Sequence, residues 1–158
     1  MLFDNNIILL FLVVFTLLSI ADLHFRVLPG MEVVFLGSVA VAAPSSPWVV
    51  GAVVLTVGWG MLTNWPSLVM VPILIYPGSW PVALVGAGVR LKLVGRGDLL
   101  AAGSLAVLFP WPALILSLMS LELWRRWWSR RRKGPVPALP GMFAGVAIYS
   151  VVALSIAV

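Results

Sequence analysis

Residues 99–121, LLAAGSLAVLFPWPALILSLMSL, carry no charged side chain and contain a Pro-Trp-Pro sequence in their middle. Proline disrupts a helix interior and biases the residue before it toward extended backbone, so this stretch predicts two apolar helices joined at Phe109-Pro-Trp-Pro112. Asp98 directly precedes the stretch and Glu122 directly follows it. The sequence therefore predicts an all-α fold whose apolar helices end where charges begin.

The composition of the whole chain extends this pattern. Of its 158 residues 62% are hydrophobic, with 10 Lys and Arg and 5 Asp and Glu, and the mean hydropathy is +1.13. Soluble domains have about 45–50% apolar and about 25% charged residues. Since a membrane span needs about 20 apolar residues, we expect a polytopic transmembrane helical bundle of about six spans, forming one domain over residues 1–158. The absence of Cys excludes disulfides, thiolate metal sites and cysteine nucleophiles, and we expect neither metal nor other cofactor.

The positive charges define one topology. All Lys and Arg lie at Arg26, in the segment Arg90–Arg96 and in the run Arg125–Lys133. Short basic loops stay in the cytoplasm, so we expect a multi-pass protein of the inner (cytoplasmic) membrane with its N-terminus outside. The first apolar run, Ile7–Ala21, has no basic residue before it, which favours a retained helix over a secretory signal peptide.

The segment between Arg26 and Arg90 must cross the membrane an even number of times in this topology. It contains three apolar pieces, namely Met31–Ala43, Trp48–Leu62 and Leu68–Gly88. We expect the first two to cross as a pair. The third is interrupted by prolines, and we expect it to be re-entrant or bent, because broken backbone is tolerated at membrane depth where protein or water satisfies it.

Acidic residues are scarce, and an ionisable group beside a membrane span is a functional candidate. Glu122 has Arg125 and Arg126 at helical spacing, which favours ion pairing over catalysis. Glu32 begins the second predicted helix, where a negative charge is favourable as a cap. Beyond the N-terminal Asp4, two aspartates remain.

Asp22 ends the first predicted helix, and Asp98 lies in Gly95-Arg-Gly-Asp98; the topology places both at the cytoplasmic boundary. Two carboxylates that meet share a proton and divide the acid and base roles, as in aspartyl proteases. Gly95 and Gly97 allow a tight turn and a close approach to a substrate main chain. The alternative is structural, with each aspartate capping a helix or pairing with an arginine such as Arg26.

The helix dipole distinguishes the two candidate acids. Asp98 begins a helix, where the dipole favours the anion, whereas Asp22 ends one, where the anion is disfavoured. This favours Asp98 as the general base, unless Arg26 pairs with Asp22 and reverses the order.

Three segments resemble motifs of one family. In order along the chain, they resemble the conserved segments of type IV prepilin peptidases. The three segments are Asp22-Leu-His-Phe-Arg-Val-Leu-Pro29, Gly95-Arg-Gly-Asp98 with the Leu-Leu-Ala-Ala-Gly that follows, and Val136-Pro-Ala-Leu-Pro140. Without Cys or room for an insert, the chain is similar to their minimal, peptidase-only form. It differs from the usual pattern at Leu100, where a Lys is common, and at Gly30, where an Asn is common.

The resemblance implies a GxGD-type aspartyl endopeptidase without methyltransferase activity. Such an enzyme removes the basic leader of prepilin-like proteins at the cytoplasmic face, with Asp22 and Asp98 as catalytic residues. The supporting motif residues are Gly95, Gly97, Pro29, Pro137 and Pro140. We expect leader contact at Glu32, close to the aspartates, because the basic run would repel a basic leader.

Two alternatives remain open. Pro137-Ala-Leu139 also resembles the Pro-Ala-Leu motif of the signal-peptide-peptidase and presenilin enzymes, although Ala21 stands where those have Tyr. The other alternative is a non-enzymatic membrane assembly or transport subunit, with its aspartates paired to Arg26 and Arg96.

The remaining polar features point away from other chemistries. His24 is the one histidine, which excludes a His-Glu-x-x-His zinc site, and we expect it in a solvated loop near the headgroups. The Trp- and Arg-rich run 124–133 has residue types that bind nucleic acid. A cytoplasmic aromatic belt beside anionic lipid explains it better, so we expect membrane lipid and no nucleic acid as partners.

Overall fold

A computed structural model describes residues 5–25, 30–42, 47–63, 72–73, 79–91, 95–132 and 134–156. Within these ranges the long elements are all helices, and the predicted all-α class is confirmed. The helices are α1 Asn5–Phe25, α2 Met31–Ala42, α3 Pro47–Thr63, α4 Pro81–Arg90, α5 Arg96–Leu108, α6 Trp111–Arg131 and α7 Ala138–Ile156. In this part of the chain no helix has both the length and the apolar character that crossing a membrane requires.

Proline and glycine set the helix boundaries. Phe109 is extended (φ −121°, ψ 150°) immediately before Pro110, so α5 ends at Leu108 and α6 begins beyond the proline, as predicted. Pro81 is the first residue of α4, where its missing N–H is not needed. Gly30 has φ +84° and its carbonyl accepts bonds from the first turn of α2. Proline and glycine therefore account for the starts of α2 and α4 and for the boundary between α5 and α6.

Two elements extend further than predicted. α1 continues to Phe25, so the expectation of a loop at His24 is wrong: its side chain is exposed on a helix, with Nδ1 3.0 Å from the Ile20 carbonyl oxygen. α6 continues through the basic run to Arg131, because side-chain pairs at helical spacing support it.

Glu122 forms the predicted ion pairs just beyond the apolar half of α6. Its carboxylate accepts bonds from Arg125 Nε at 2.7 Å and Arg126 Nε at 2.8 Å. These hydrogen bonds lower the pKa of Glu122 from its usual 4.5 to about 2. Glu122 therefore has a structural partner on its own helix, as expected.

Part of the expected layout falls outside the described residues. Arg26 and Pro29 lie there, as do positions 68–71 and 74–78 of the predicted bent segment Leu68–Gly88. The described end of that segment is helical, since α4 begins at Pro81.

One compact unit is formed by Gly30–Trp111 and holds α2 to α5. Helix α5 is its centre: it contacts α2 and α4 and is buried from Leu99 to Leu108. Gly103 lets Phe35 of α2 approach, because a Cβ there would lie 2.8 Å from Phe35 Cε2. Ser79, just before α4, donates to the Ala106 carbonyl of α5 at 3.2 Å.

The other compact unit combines Met1–Pro29 with Pro112–Val158 and holds α1, nearly all of α6, and α7. Helix α1 contacts α7. Helices α6 and α7 approach through Gly141 and Gly145, since a Cβ at Gly145 would lie 2.5 Å from Ser117 Cα. Small residues four positions apart permit such close backbone contact between helices. Ser117 adds a hydrogen bond of 2.9 Å to the Met142 carbonyl.

Candidate active site

Asp22 lies in the last turn of α1, facing the interior of its unit. It is 6% exposed and is the one acidic side chain that is buried among the described residues. Its Oδ2 accepts a hydrogen bond of 3.1 Å from the backbone N–H of Leu139. A buried carboxylate is costly unless hydrogen bonds satisfy it, so this bond explains how the fold tolerates Asp22.

Leu139 belongs to the first turn of α7, whose N–H groups have no acceptor within the helix. The Asp22 carboxylate supplies an acceptor and lies at the positive end of the helix dipole. Pro140, which follows, has no N–H to satisfy and fits a first turn. Asp22 thus caps the start of α7 by binding Leu139, which lies 117 positions later in the sequence.

Trp124 of α6 holds the segment that precedes this cap. Its Nε1 donates to the Pro137 carbonyl at 2.8 Å. The Trp124 side chain also contacts Gly141, where an added Cβ would be 2.9 Å from Trp124 Cβ. The predicted supporting prolines Pro137 and Pro140 therefore flank the residue that binds Asp22.

Asp98 is placed by the local structure of α5. The helix is capped by Gly95 in extended conformation (φ −77°, ψ 161°), and Asp98 is its third residue. Asp98 Oδ2 accepts from the Gly95 N–H at 3.0 Å. This is the carboxylate half of a capping box, because glycine has no side chain to return the bond. Asp98 is half-buried, in contrast to Asp22.

Glycine at position 95 also makes room for the carboxylate. A Cβ there would lie 3.2 Å from Asp98 Oδ2, closer than such contacts normally are. Gly97 is half-buried within the first turn of α5. The predicted Gly-x-Gly-Asp motif therefore forms a tight helix start that holds the Asp98 carboxylate against the backbone.

This geometry changes a premise of the helix-dipole argument for Asp98 as the base, and the identity of the base stays a prediction. The premise was that Asp98 alone lies at a helix start, whereas the Asp22 carboxylate lies at the start of α7. The dipole of a helix N-terminus favours a negative charge at each aspartate. The choice of base therefore has no support from the dipoles.

The two aspartates belong to different compact units, Asp22 with α1 and Asp98 with α5. Glu32 is exposed in the first turn of α2, in the same unit as Asp98. Within its own unit, Asp22 binds the N–H of Leu139, which lies between Pro137 and Pro140.

Sequence reasoning missed the residues that hold α7 in place. Trp124 was interpreted as part of an aromatic belt, and its bond to Pro137 has no sequence signature. Gly141 and Gly145 do have one, since Gly-x-x-x-Gly in an apolar helix predicts close helix packing.

Comparison of the chain with protein-family models, with curated proteins and with solved structures finds no match. The functional interpretation consequently depends on the residues of this chain.

Proposed function

We propose that the chain is a membrane-embedded aspartyl endopeptidase of the prepilin-peptidase type, which cleaves the basic leader from prepilin-like proteins at the cytoplasmic face. The observation that carries this proposal is the bond between the buried Asp22 carboxylate and the N–H of Leu139. Those residues come from two of the three segments that resemble the family. Their contact brings one of the two proposed catalytic acids to the start of α7.

Exposed apolar side chains support the membrane part of the proposal. On α1, Leu9, Leu10 and Leu17 are each more than 60% exposed, and on α3 Leu55 and Leu62 exceed 70%. Large exposed apolar surfaces mark contact with lipid or protein partners. With 62% hydrophobic residues in the chain, we propose a multi-pass arrangement of about six spans with one re-entrant or bent segment, in which α6 leaves the bilayer near Glu122.

The proposed reaction uses the carboxyl groups of Asp22 and Asp98. One of Asp22 and Asp98, ionised, takes a proton from water while the water oxygen adds to the scissile carbonyl carbon. The other, protonated, donates a hydrogen bond to the carbonyl oxygen and then supplies the proton that the departing amine takes as the C–N bond breaks. Two carboxylates that share one proton provide both protonation states together.

The resemblance to prepilin peptidases implies a substrate with a basic leader, and charge indicates which residue would contact that leader. A basic leader needs an acidic partner, and Glu32 is an exposed carboxylate at the start of α2. The chain itself has a formal charge of +5, so an acidic residue that contacts the leader would offset the repulsion between two positively charged molecules. We propose that Glu32 contacts the leader.

Co-expression with a substrate tests the proposal. The substrate carries a basic leader, a Gly and an apolar stalk, and loss of the leader is detected as a gel shift and by N-terminal sequencing. We expect cleavage after the Gly, and a substrate whose Gly is replaced by a bulky residue is the control. Cleavage within the apolar stalk would instead favour the signal-peptide-peptidase type.

One observation favours a second function, that of a non-enzymatic assembly or transport subunit. Both Asp22 and Asp98 bind a backbone N–H at a helix start, a role that needs no chemistry. Asn caps helices about as well as Asp, so a structural aspartate tolerates replacement by Asn. A catalytic aspartate does not, because an amide neither takes up nor releases a proton in the reaction.

A further inference from the structure

One face of α6 carries a groove beyond the apolar half of the helix. Its lining residues recur at helical spacing and therefore lie on a single face. They are Leu123, Arg126, Trp127, Arg130 and Arg131.

Trp127 gives this groove a fixed wall. Its ring stacks on Trp124, with centroids 5.1 Å apart and an interplanar angle of 27°. Trp124 is itself tied to the Pro137 carbonyl. The Arg131 guanidinium lies over the Trp127 ring, 5.1 Å from its centroid, and such a cation–π contact holds the cation in place.

The positive charge of the groove is only partly compensated. Arg126 is paired with Glu122 through its Nε. Within the described part of the chain, no acidic side chain forms a salt bridge with Arg130 or Arg131, and both are exposed. Two adjacent guanidiniums without an acidic partner favour an anion with several oxygens, since each guanidinium binds phosphate in bidentate fashion.

The same face becomes apolar toward the start of α6. Leu116, Met119 and Leu123 are exposed along it, by 37%, 59% and 67% respectively. At about 1.5 Å per residue, Arg130 lies about 10 Å beyond Leu123 along the helix axis. The face therefore passes from aliphatic side chains through Trp127 to arginine, which is the order of acyl chain, interface and phosphate in a phospholipid.

We propose that this face of α6 is a binding site for an anionic phospholipid, with the headgroup phosphate held by Arg130 and Arg131 and an acyl chain lying along Leu123 and Met119. The site rests on the membrane location within the proposed function and is independent of the peptidase chemistry. The occupant is a lipid because the groove continues into exposed apolar surface, which free phosphate would leave uncovered.

The test compares two double variants of equal charge. R130Q/R131Q removes Arg130 and Arg131 from the groove and leaves Arg126. R125Q/R132Q instead removes Arg125, on the opposite face of α6, and Arg132, directly after its last residue. The purified full chain in detergent is titrated with dioleoylphosphatidylglycerol, with dioleoylphosphatidylcholine as the neutral lipid, and bound lipid is counted by native mass spectrometry. Circular dichroism checks that both variants keep the wild-type helix content.

We expect the apparent Kd for phosphatidylglycerol to rise at least tenfold in R130Q/R131Q and less than twofold in R125Q/R132Q. Inorganic phosphate should not displace the lipid beyond the effect of NaCl at equal ionic strength. Equal losses in the two variants, equal binding of phosphatidylcholine, or displacement by phosphate would each overturn the lipid site. Carbonate extraction of cell membranes tests the membrane location separately, so failure of the lipid site and failure of the proposed function are distinguishable.

Discussion

The Asp22 carboxylate and the Leu139 backbone N–H are joined by a 3.1 Å hydrogen bond across 117 positions of sequence. The bond ties the C-terminal turn of α1 to the first turn of α7. It gives Asp22 a structural role in addition to the chemistry proposed for it. Variants that separate the two roles are therefore the informative ones.

Replacing Asp22 with Ala should destabilise the protein more than replacing it with Asn. Ala leaves the buried N–H of Leu139 without an acceptor, which costs about 1–2 kcal/mol, whereas the Asn oxygen retains the bond. The free energy of unfolding in detergent, measured for both variants, tests this. Equal destabilisation by Ala and Asn would contradict the capping role.

Trp124→Phe should loosen the start of α7 while keeping a smaller aromatic ring at this position. It removes the bond from Nε1 to the Pro137 carbonyl and should cost about 1 kcal/mol of unfolding free energy. Trp48→Phe, at a side chain that is 70% exposed, is the matched control and should have no measurable effect. Equal free energies of unfolding for the two variants would show that the bond does not contribute measurably to stability.

Gly145→Ala should destabilise the contact between α6 and α7. The new Cβ would lie 2.5 Å from Ser117 Cα, so the helices must separate. Overpacking of this kind costs about 1–3 kcal/mol. Gly37→Ala is the control, because a Cβ there meets nothing within 4 Å. In a helix that substitution should be neutral or stabilising by up to about 1 kcal/mol. The close approach of the helices is refuted if Gly145→Ala is as stable as the control.

Glu32→Gln should weaken leader binding without slowing the chemical step. The loss of one exposed charge pair is worth about 0.2–1 kcal/mol, so KM should rise up to about fivefold at unchanged kcat. A substrate with a neutral leader should be insensitive to the substitution, which separates a charge contact from a general effect on the fold. An unchanged KM with the basic leader would place leader recognition elsewhere.

The positions of charged residues and prolines in the sequence predict most of the helix boundaries. The apolar pieces Met31–Ala43 and Trp48–Leu62 match α2 and α3 to within one residue at each end. Phe109 ends α5 because a proline follows it, a purely local effect. Hydropathy alone misplaces the end of α6, because the helix continues past its apolar half, beyond Glu122 and its arginine partners, through a run expected to be a loop.

The surroundings of the candidate site were readable only in part. Gly95 and Asp98 form a local motif, so their hydrogen bond follows from spacing. The partner of Asp22 depends on packing between the ends of the chain, which no spacing encodes. The dipole argument for Asp98 as the base was incomplete for the same reason, since it considered only the helix to which Asp22 belongs.

Leader cleavage by Asp22→Asn and Asp98→Asn tests the central claim most directly. Each variant keeps an oxygen for the helix-capping bond but loses the ability to exchange a proton, so the fold should be retained while the reaction stops. We predict that the purified wild-type protein cleaves a prepilin-type substrate after the Gly of its leader. Each variant should reduce the single-turnover rate constant by at least about 100-fold, at wild-type helix content and expression. Cleavage by either variant at the wild-type rate would contradict the assignment of Asp22 and Asp98 as the catalytic pair.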